Sequence, residues 1–223
     1  LDNAIYISGD WHGSAEDVDS KTYEKVKNDS KIKSYVYAQQ LGYSKLEGCI
    51  NENKPYLFLL GASEGFEEMM PVHITSGKYP TSASEILIPE HLYDNGGVEL
   101  KIGDALKLAL GKRTLDGYSL GQSNPYYTYD DNNEIIPNGE TFNVLEYRTY
   151  TVVGFYERPE IESYTAPGYT AITIADKDIN EKYSYNVWFK MNEIKDVYSF
   201  IEDNKLPGKT NSSVLRYSGI SRY

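Results

Sequence analysis

The chain has one cysteine, Cys49, among 223 residues, which rules out a disulfide within it. That count suits a cytosolic protein, and equally an extracellular domain from an organism that seldom uses disulfides, so it leaves the compartment open. Histidine is also scarce, with three in all. No hydrophobic run approaches the roughly 20 residues needed to cross a bilayer. Leu1 to Gly13 lacks the basic start and long apolar middle of a signal peptide. A basic surplus is missing as well: 22 Lys and Arg stand against 33 Asp and Glu, a net charge of −11. Nucleic-acid binding needs clustered Lys and Arg to replace counterions, and no basic patch or stripe occurs, so nucleic acid is excluded as a partner and an anionic membrane surface is disfavoured. Internal repeats and low-complexity tracts are absent.

What remains is an ordinary globular composition, 40% apolar and 25% charged, long enough for one large or two small domains with a real core. Tyrosine is the exception, with 22 copies. It combines apolar bulk with a polar tip, which suits half-buried sheet faces and contact surfaces.

The stretch Ile74 to Leu110 organises the chain. Two short apolar strands, Glu85 to Pro89 and Ala105 to Leu110, are cut out by turn residues: Gly77, Pro80 and the Ser-rich run before the first, Asn95-Gly96-Gly97 and Gly103-Asp104 before the second. A third strand, Tyr150 to Glu157, matches them. On the amino-terminal side, Ala4 to Ser8 reads as a strand, Asp19 to Lys31 as a helix capped by Asp19 or Ser20, Lys33 to Leu46 as a long strand with a bulge or bend at Gly42, and Tyr56 to Leu60 as a buried strand. Phe66 to Met70 forms one helical turn. A polar excursion, Leu115 to Glu140, is a protruding hairpin or a long loop, and Phe142 to Phe155 returns as a strand. Pro159 and Pro167 mark a connector. Tyr169 to Ile174 and Tyr185 to Met191 are strands. Asn192 caps a helix reaching Asn204, with Ile194, Val197, Tyr198 and Ile201 as its apolar stripe, and Ser213 to Tyr217 adds a last strand.

The pieces SGKYP, EILIP, KIGDALKL and YTVVGF, in that order and spacing, are similar to the pattern of MacB-like periplasmic core domains, the extracytoplasmic parts of FtsX-like ABC transporter permeases. The matching residues are Gly77, Lys78, Pro80, Glu85, Ile86, Gly103, Asp104, Val152, Val153 and Gly154. The basic position is more often Arg in that family, and the likeness covers Val72 to Ile174 best. The resemblance implies an α+β fold: a porter-like split βαβ subdomain formed by both termini, residues 1–70 and 176–223, with an inserted smaller β-rich, Sabre-like subdomain, residues 71–175. It places Leu1 and Tyr223 on one end, as two membrane anchors require. The chain begins without Met and is expected to be a fragment whose anchors were removed.

Candidate chemistry is sparse. Gly61-Ala62-Ser63-Glu64-Gly65 fits G-x-S-x-G, but Pro71 truncates the helix a nucleophile elbow needs, and only His73 and His91 follow, with no acid suitably placed. Gly208-Lys209-Thr210 lacks the first glycine of a phosphate loop and follows a helix. Asp10 and His12 make one metal-ligand pair where a zinc site needs three or four ligands. Asp130-Asp131-Asn132-Asn133-Glu134 departs from a calcium loop at its sixth and twelfth positions and reads as an acidic hairpin tip. Glu67-Glu68, and Glu160 with Glu162, are paired carboxylates with no cleft that the sequence defines. Tyr118, Tyr126, Tyr127 and Tyr129, on the excursion, are the candidate partner-contact residues.

The expected function is therefore a non-catalytic extracytoplasmic domain of an ABC transporter permease in a bacterial cell membrane, with no catalytic, metal or cofactor residue in this chain. The resemblance implies as partners an ATPase subunit or domain reached through the missing transmembrane part, a second permease copy, and a peptide or protein substrate. Two alternatives are a freestanding peptide- or carbohydrate-binding module using residues 115–140, and a hydrolase built on Ser63.

Overall fold

The structure is a computed structural model and describes residues 1–222. In chain order the elements are α1 (Asp2–Ser8), β1 (Gly13–Val18), α2 (Ser20–Lys27), β2 (Ile32–Lys45), β3 (Tyr56–Ala62), α3 (Phe66–Met69), β4 (Ile74–Gly77), β5 (Glu85–Pro89), α4 (His91–Gly96) and β6 (Ala105–Leu115). There follow β7 (Tyr118–Leu120), β8 (Tyr127–Tyr129), β9 (Ile135–Pro137), β10 (Thr141–Tyr156), β11 (Gly168–Ile174), β12 (Tyr185–Met191), a 3₁₀ turn (Ile194–Asp196), α5 (Val197–Asp203) and α6 (Ser212–Tyr217). The fold is mixed α+β and dominated by sheet.

Two compact units share the chain. The first comprises Leu1–Gln40, Gly61–Val72 and the residues from Ala175 onward; the second comprises Leu41–Leu60 and His73–Ile174. Residues 41–60, which the sequence reading groups with the termini, lie in the second unit. The change of unit falls inside β2, beside Gly42, and again inside β3, at Gly61, without a break in either strand.

In the first unit β12 lies antiparallel between β1 and β2. On the other side of β1 runs the segment 207–210: Ser14 N–H donates to the Lys209 carbonyl at 2.8 Å, Glu16 N–H to the Pro207 carbonyl at 2.7 Å, and Gly13 bridges Thr210. The order is thus 207–210, β1, β12, β2, with α2 joining β1 to β2 and α5 following β12. This is a split βαβ arrangement. Asp19 caps α2 by accepting from Thr22 N–H at 2.8 Å. Tyr23 and Val26 of α2 are buried, and the Tyr23 ring stacks on Tyr185 at 5.6 Å, so these tyrosines fill the sheet face.

Three local expectations are corrected here. Residues 4–8 are helical, because the edge beside β1 that a strand would occupy is taken by 207–210; α1 instead packs against α6. Residues 213–217 are helical too: the Asn211 side chain accepts from Val214 N–H and its amide donates to the Gly9 carbonyl at 3.0 Å, which starts α6 and ties it to the end of α1. Asn192 does not cap α5. Its amide donates to the Ser30 carbonyl at 2.8 Å, and the helix begins through the 3₁₀ turn. The expected position of Tyr223 lies outside the described residues.

Gly208 is what lets 207–210 lie on β1: a Cβ there would sit 1.7 Å from the Ser14 carbonyl oxygen. Gly208→Ala is expected to separate the two segments, break two backbone hydrogen bonds and lower stability by more than about 3 kcal/mol. Gly121→Ala, where nothing lies within 4 Å of the added carbon, is the control and should stay within about 0.5 kcal/mol. Urea unfolding of both variants checks this.

In the second unit the strands follow in the order β2, β3, β11, β5, β10, β6, β7. Tyr43 of β2 also bridges Gly111 of β6, so six of these strands close into a ring. The closure explains Gly42, whose φ is 127° and whose Cβ would stand 2.9 Å from the Gly111 carbonyl oxygen. It also explains Gly111, where a Cβ would meet Asn143. β5 runs parallel to β10 and antiparallel to β11, and β6 runs antiparallel to both β10 and β2. The unbroken apolar run of β3 is buried at every residue, so both faces of this strand are covered.

The motif residues converge on one stretch of β10. Gly154 pairs with Gly77 of β4, Thr151 with Glu85 of β5, and the Val152 carbonyl accepts from Gly103 N–H at 2.8 Å. Lys78 N–H donates to the Val153 carbonyl at 3.0 Å, and its ammonium pairs with Glu85 at 3.3 Å. Gly77 and Gly154 are required because a Cβ would fall 2.2 Å and 2.4 Å from carbonyl oxygens of Val153 and Lys78.

Candidate functional site

Two buried charge clusters organise the polar side of the second unit; the sequence points to Glu162 and His91 singly and to neither cluster as a whole. The first anchors the tyrosine-rich excursion. Arg113, at the end of β6, is fully buried. Its Nε donates to Glu140 at 2.7 Å and Nη2 to the other carboxylate oxygen at 2.6 Å, a bidentate pair. The remaining donors reach the carbonyls of Gly121 and Asn124, each at 2.9 Å. The guanidinium also lies over the Tyr43 and Tyr56 rings, at 5.0 and 5.6 Å. Burial alone would lower the Arg113 pKa, but the bonds and charge of Glu140 reverse this and hold it above its ordinary value. Residues 115–140 are thus fastened at their base, and β8–β9 forms a separate hairpin whose tip is the Asp130 turn, with Asp130 accepting from the N–H groups of Asn132 and Glu134.

The four candidate tyrosines do not form one patch. Tyr118 is 76% exposed and Tyr129 59% exposed. Tyr126 is half-buried with its ring edge-on to Tyr56 at 5.9 Å. Tyr127 meets Tyr129 edge-on and lines a cleft described below. Tyr118→Ser and Tyr129→Ser are each expected to change stability by less than about 0.5 kcal/mol, and Tyr126→Ser to cost about 1–2 kcal/mol in lost ring packing; thermal melts of the three variants check this.

The second cluster surrounds Glu162, on the connector after β10. Its side chain is fully buried. One oxygen accepts from the Thr170 N–H and hydroxyl at 2.7 and 2.8 Å. The other accepts from Lys54 at 3.0 Å and from His91 Nε2 at 2.6 Å. Arg158 Nε lies 3.7 Å from that oxygen, and its Nη2 donates to the Glu162 carbonyl. Burial pushes the Glu162 carboxyl up, but the hydrogen bond and charge of His91, with Lys54, outweigh it and the net shift is downward. The Lys54 ammonium is shifted down, because its burial outweighs the return from Glu162. Beside this cluster is a cleft of about 210 Å³, lined by Asn51, Asn53, Lys54, His91, Asn95, Tyr127, Arg158, Tyr164, Thr165 and Ala166.

The other sequence candidates have structural partners. Ser63 Oγ accepts from Tyr37 N–H at 2.9 Å in the first unit, whereas His73 and His91 belong to the second. Asp10 pairs with Lys190 at 2.8 Å, and His12 Nδ1 accepts from Met191 N–H at 2.9 Å. Burial, then Lys190, lowers the His12 pKa. Lys209 lies in the segment beside β1. Glu162 carries the second cluster alone; Glu160, its expected companion, is exposed. Among the described residues no group of three or more His, Cys, Asp or Glu is placed to hold a metal ion.

No family model and no curated protein matches the sequence. Solved structures do. The periplasmic region of MacB from Actinobacillus actinomycetemcomitans is 10% identical with a TM-score of 0.48, the match covering 100% of this chain and 99% of that one. The extracellular domain of the noncanonic ABC-type transporter YknZ from Gram-positive bacteria is 9% identical with a TM-score of 0.43, over 92% and 98% of the two chains. Among the described residues no helix is long and apolar enough to cross a membrane.

Proposed function

We propose that this chain is the non-catalytic extracytoplasmic domain of an FtsX-like ABC transporter permease, and that it couples movement of transmembrane helices to the handling of a substrate or partner outside the membrane. The carrying observation is the convergence of the resembling residues. Gly77, Lys78, Glu85, Gly103 and Gly154 come from four separate stretches and meet along Thr151 to Gly154 of β10, so the sequence likeness is one packing arrangement rather than scattered short matches. A second observation supports the mechanical part. α1 and α6, from opposite ends of the chain, pack together, with Asn211 bound to the Gly9 carbonyl at 3.0 Å. Levers entering and leaving there would act on one element pair. In this reading the first unit is membrane-proximal, an ATPase subunit or domain drives the cycle, the permease pairs with a second copy, and Tyr118 and Tyr129 are contact residues for a peptide or protein.

The test uses the full-length gene product in membranes with its ATPase. Hydrophobic helices should flank this segment on both sides. In a Cys49→Ser background, Ile7→Cys with Tyr217→Cys and a short bifunctional maleimide should cross-link α1 to α6 and suppress ATP hydrolysis. Absent flanking helices, or an unchanged hydrolysis rate in fully cross-linked protein, would refute the proposal.

A further inference from the structure

The cleft beside Glu162 is lined by no carboxylate, in a chain with 33 of them. Its charged or ionisable lining consists of Lys54, His91 and Arg158 with two tyrosines, and the remaining polar lining is three asparagines and Thr165. We propose that this cleft binds the oxyanion head group of a small molecule, a phosphate or a carboxylate. This assignment lies wholly within the second unit and does not rest on the permease reading.

The first argument is charge. Lys54, His91 and Arg158 converge on Glu162, which carries a single negative charge. Two of the three bases are cationic at neutral pH whatever the state of the imidazole, so the cluster holds surplus positive charge. Lys54 is only 5% exposed, and its lowered pKa means that Glu162 does not fully offset its burial. A second anion would complete the balance.

The second argument is an orphaned atom. His91 Nε2 faces the Glu162 carboxylate at 2.6 Å and therefore donates to it. His91 Nδ1 is buried and has no hydrogen-bond partner. An oxyanion within reach would favour the imidazolium, in which Nδ1 also donates. An unpartnered buried polar atom is unfavourable, and a ligand bonded there would relieve it.

The third argument is fit. Arg158 stacks on the Tyr164 ring at 4.0 Å, and Tyr164 is 89% exposed, so the guanidinium is held by a side chain at the mouth. A volume near 210 Å³ is below the roughly 300 Å³ at which sites for drug-sized ligands begin, which suits one head group rather than a whole sugar or peptide.

The experiment titrates the 223-residue chain with inorganic phosphate and glycerol phosphate in one arm, and acetate and N-acetylaspartate in the other. Sodium chloride at matched ionic strength is the baseline. Amide and ring ¹⁵N spectra are recorded throughout. Saturable binding in either arm, with the His91 ring nitrogens moving toward imidazolium shifts, is the expected result, and the tighter arm identifies the head group. Arg158→Gln should weaken binding at least tenfold, with Arg158→Lys recovering most of it, while the amide spectrum outside the cleft remains that of the parent. No saturation in either arm beyond the chloride baseline would overturn the proposal, as would equal affinity of Arg158→Gln.

Discussion

Arg113→Met is expected to destabilise the protein by about 3–5 kcal/mol, because it leaves the Glu140 carboxylate, only 1% exposed, without its counter-charge. The carbonyls of Gly121 and Asn124 lose their donors in the same change. For a chain of this size the loss corresponds to a fall in Tm of about 6–20 °C. The destabilisation should be read in near-ultraviolet circular dichroism as well, since Tyr43 and Tyr56 pack on the guanidinium. The double variant Arg113→Met, Glu140→Leu should lose less than Arg113→Met alone, because it removes the stranded charge together with the pair. If Arg113→Met melts within about 2 °C of the parent, the excursion is not fastened as described.

Glu162→Gln should cost a comparable amount at neutral pH, since it leaves the Lys54 amine, 5% exposed, without its partner carboxylate. Its pH dependence separates this from a packing defect. The folded carboxyl titrates below the ordinary value of 4.5, so its contribution is fully present above that value and is lost as pH falls through the folded one. Parent stability should therefore drop on acidification below about pH 4.5, and the difference between parent and Glu162→Gln should shrink over the same range. Asp19 and Glu85 are also held down, by the backbone N–H groups of Thr22 and Thr81 first of all. Both are on the surface and present in both proteins, so they leave the difference to Glu162. A difference that stays constant from pH 7 to pH 3 would remove the ion-pair account.

The strands were legible where their signal is local. Glu85–Pro89 and Tyr185–Met191 appear with the bounds expected, and Asp19 caps α2 as its position before Thr22 implies. Turn glycines were legible for the same reason, and the structure shows that Gly42 and Gly77 clear the carbonyls of Gly111 and Val153. Ala4–Ser8 was misread because Ile5, Tyr6 and Ile7 favour a strand by themselves, and nothing within seven residues reveals that the sheet edge is occupied from residue 207. Ser213–Tyr217 is the mirror case. The site was the least legible part. Glu162 sits in a connector with Pro159 and Pro167 and looks solvated, yet it is buried because Lys54, His91 and Arg158 arrive from elsewhere.

The sequence alone determined the acidic balance, the absence of a disulfide, the α+β class, and a motif series whose order survives into adjacent strands. The first two follow from composition; the fold class and the motif series are what the family resemblance implies. Tertiary structure decided where each unit begins, since β2 and β3 pass from one to the other without a turn, and which polar residues are buried. Arg113 meets Glu140 across 27 residues, and Lys54 meets Glu162 across 108. Burial of a charge depends on what closes over it, and that partner is set by the fold's long-range pairing rather than by neighbours in the chain.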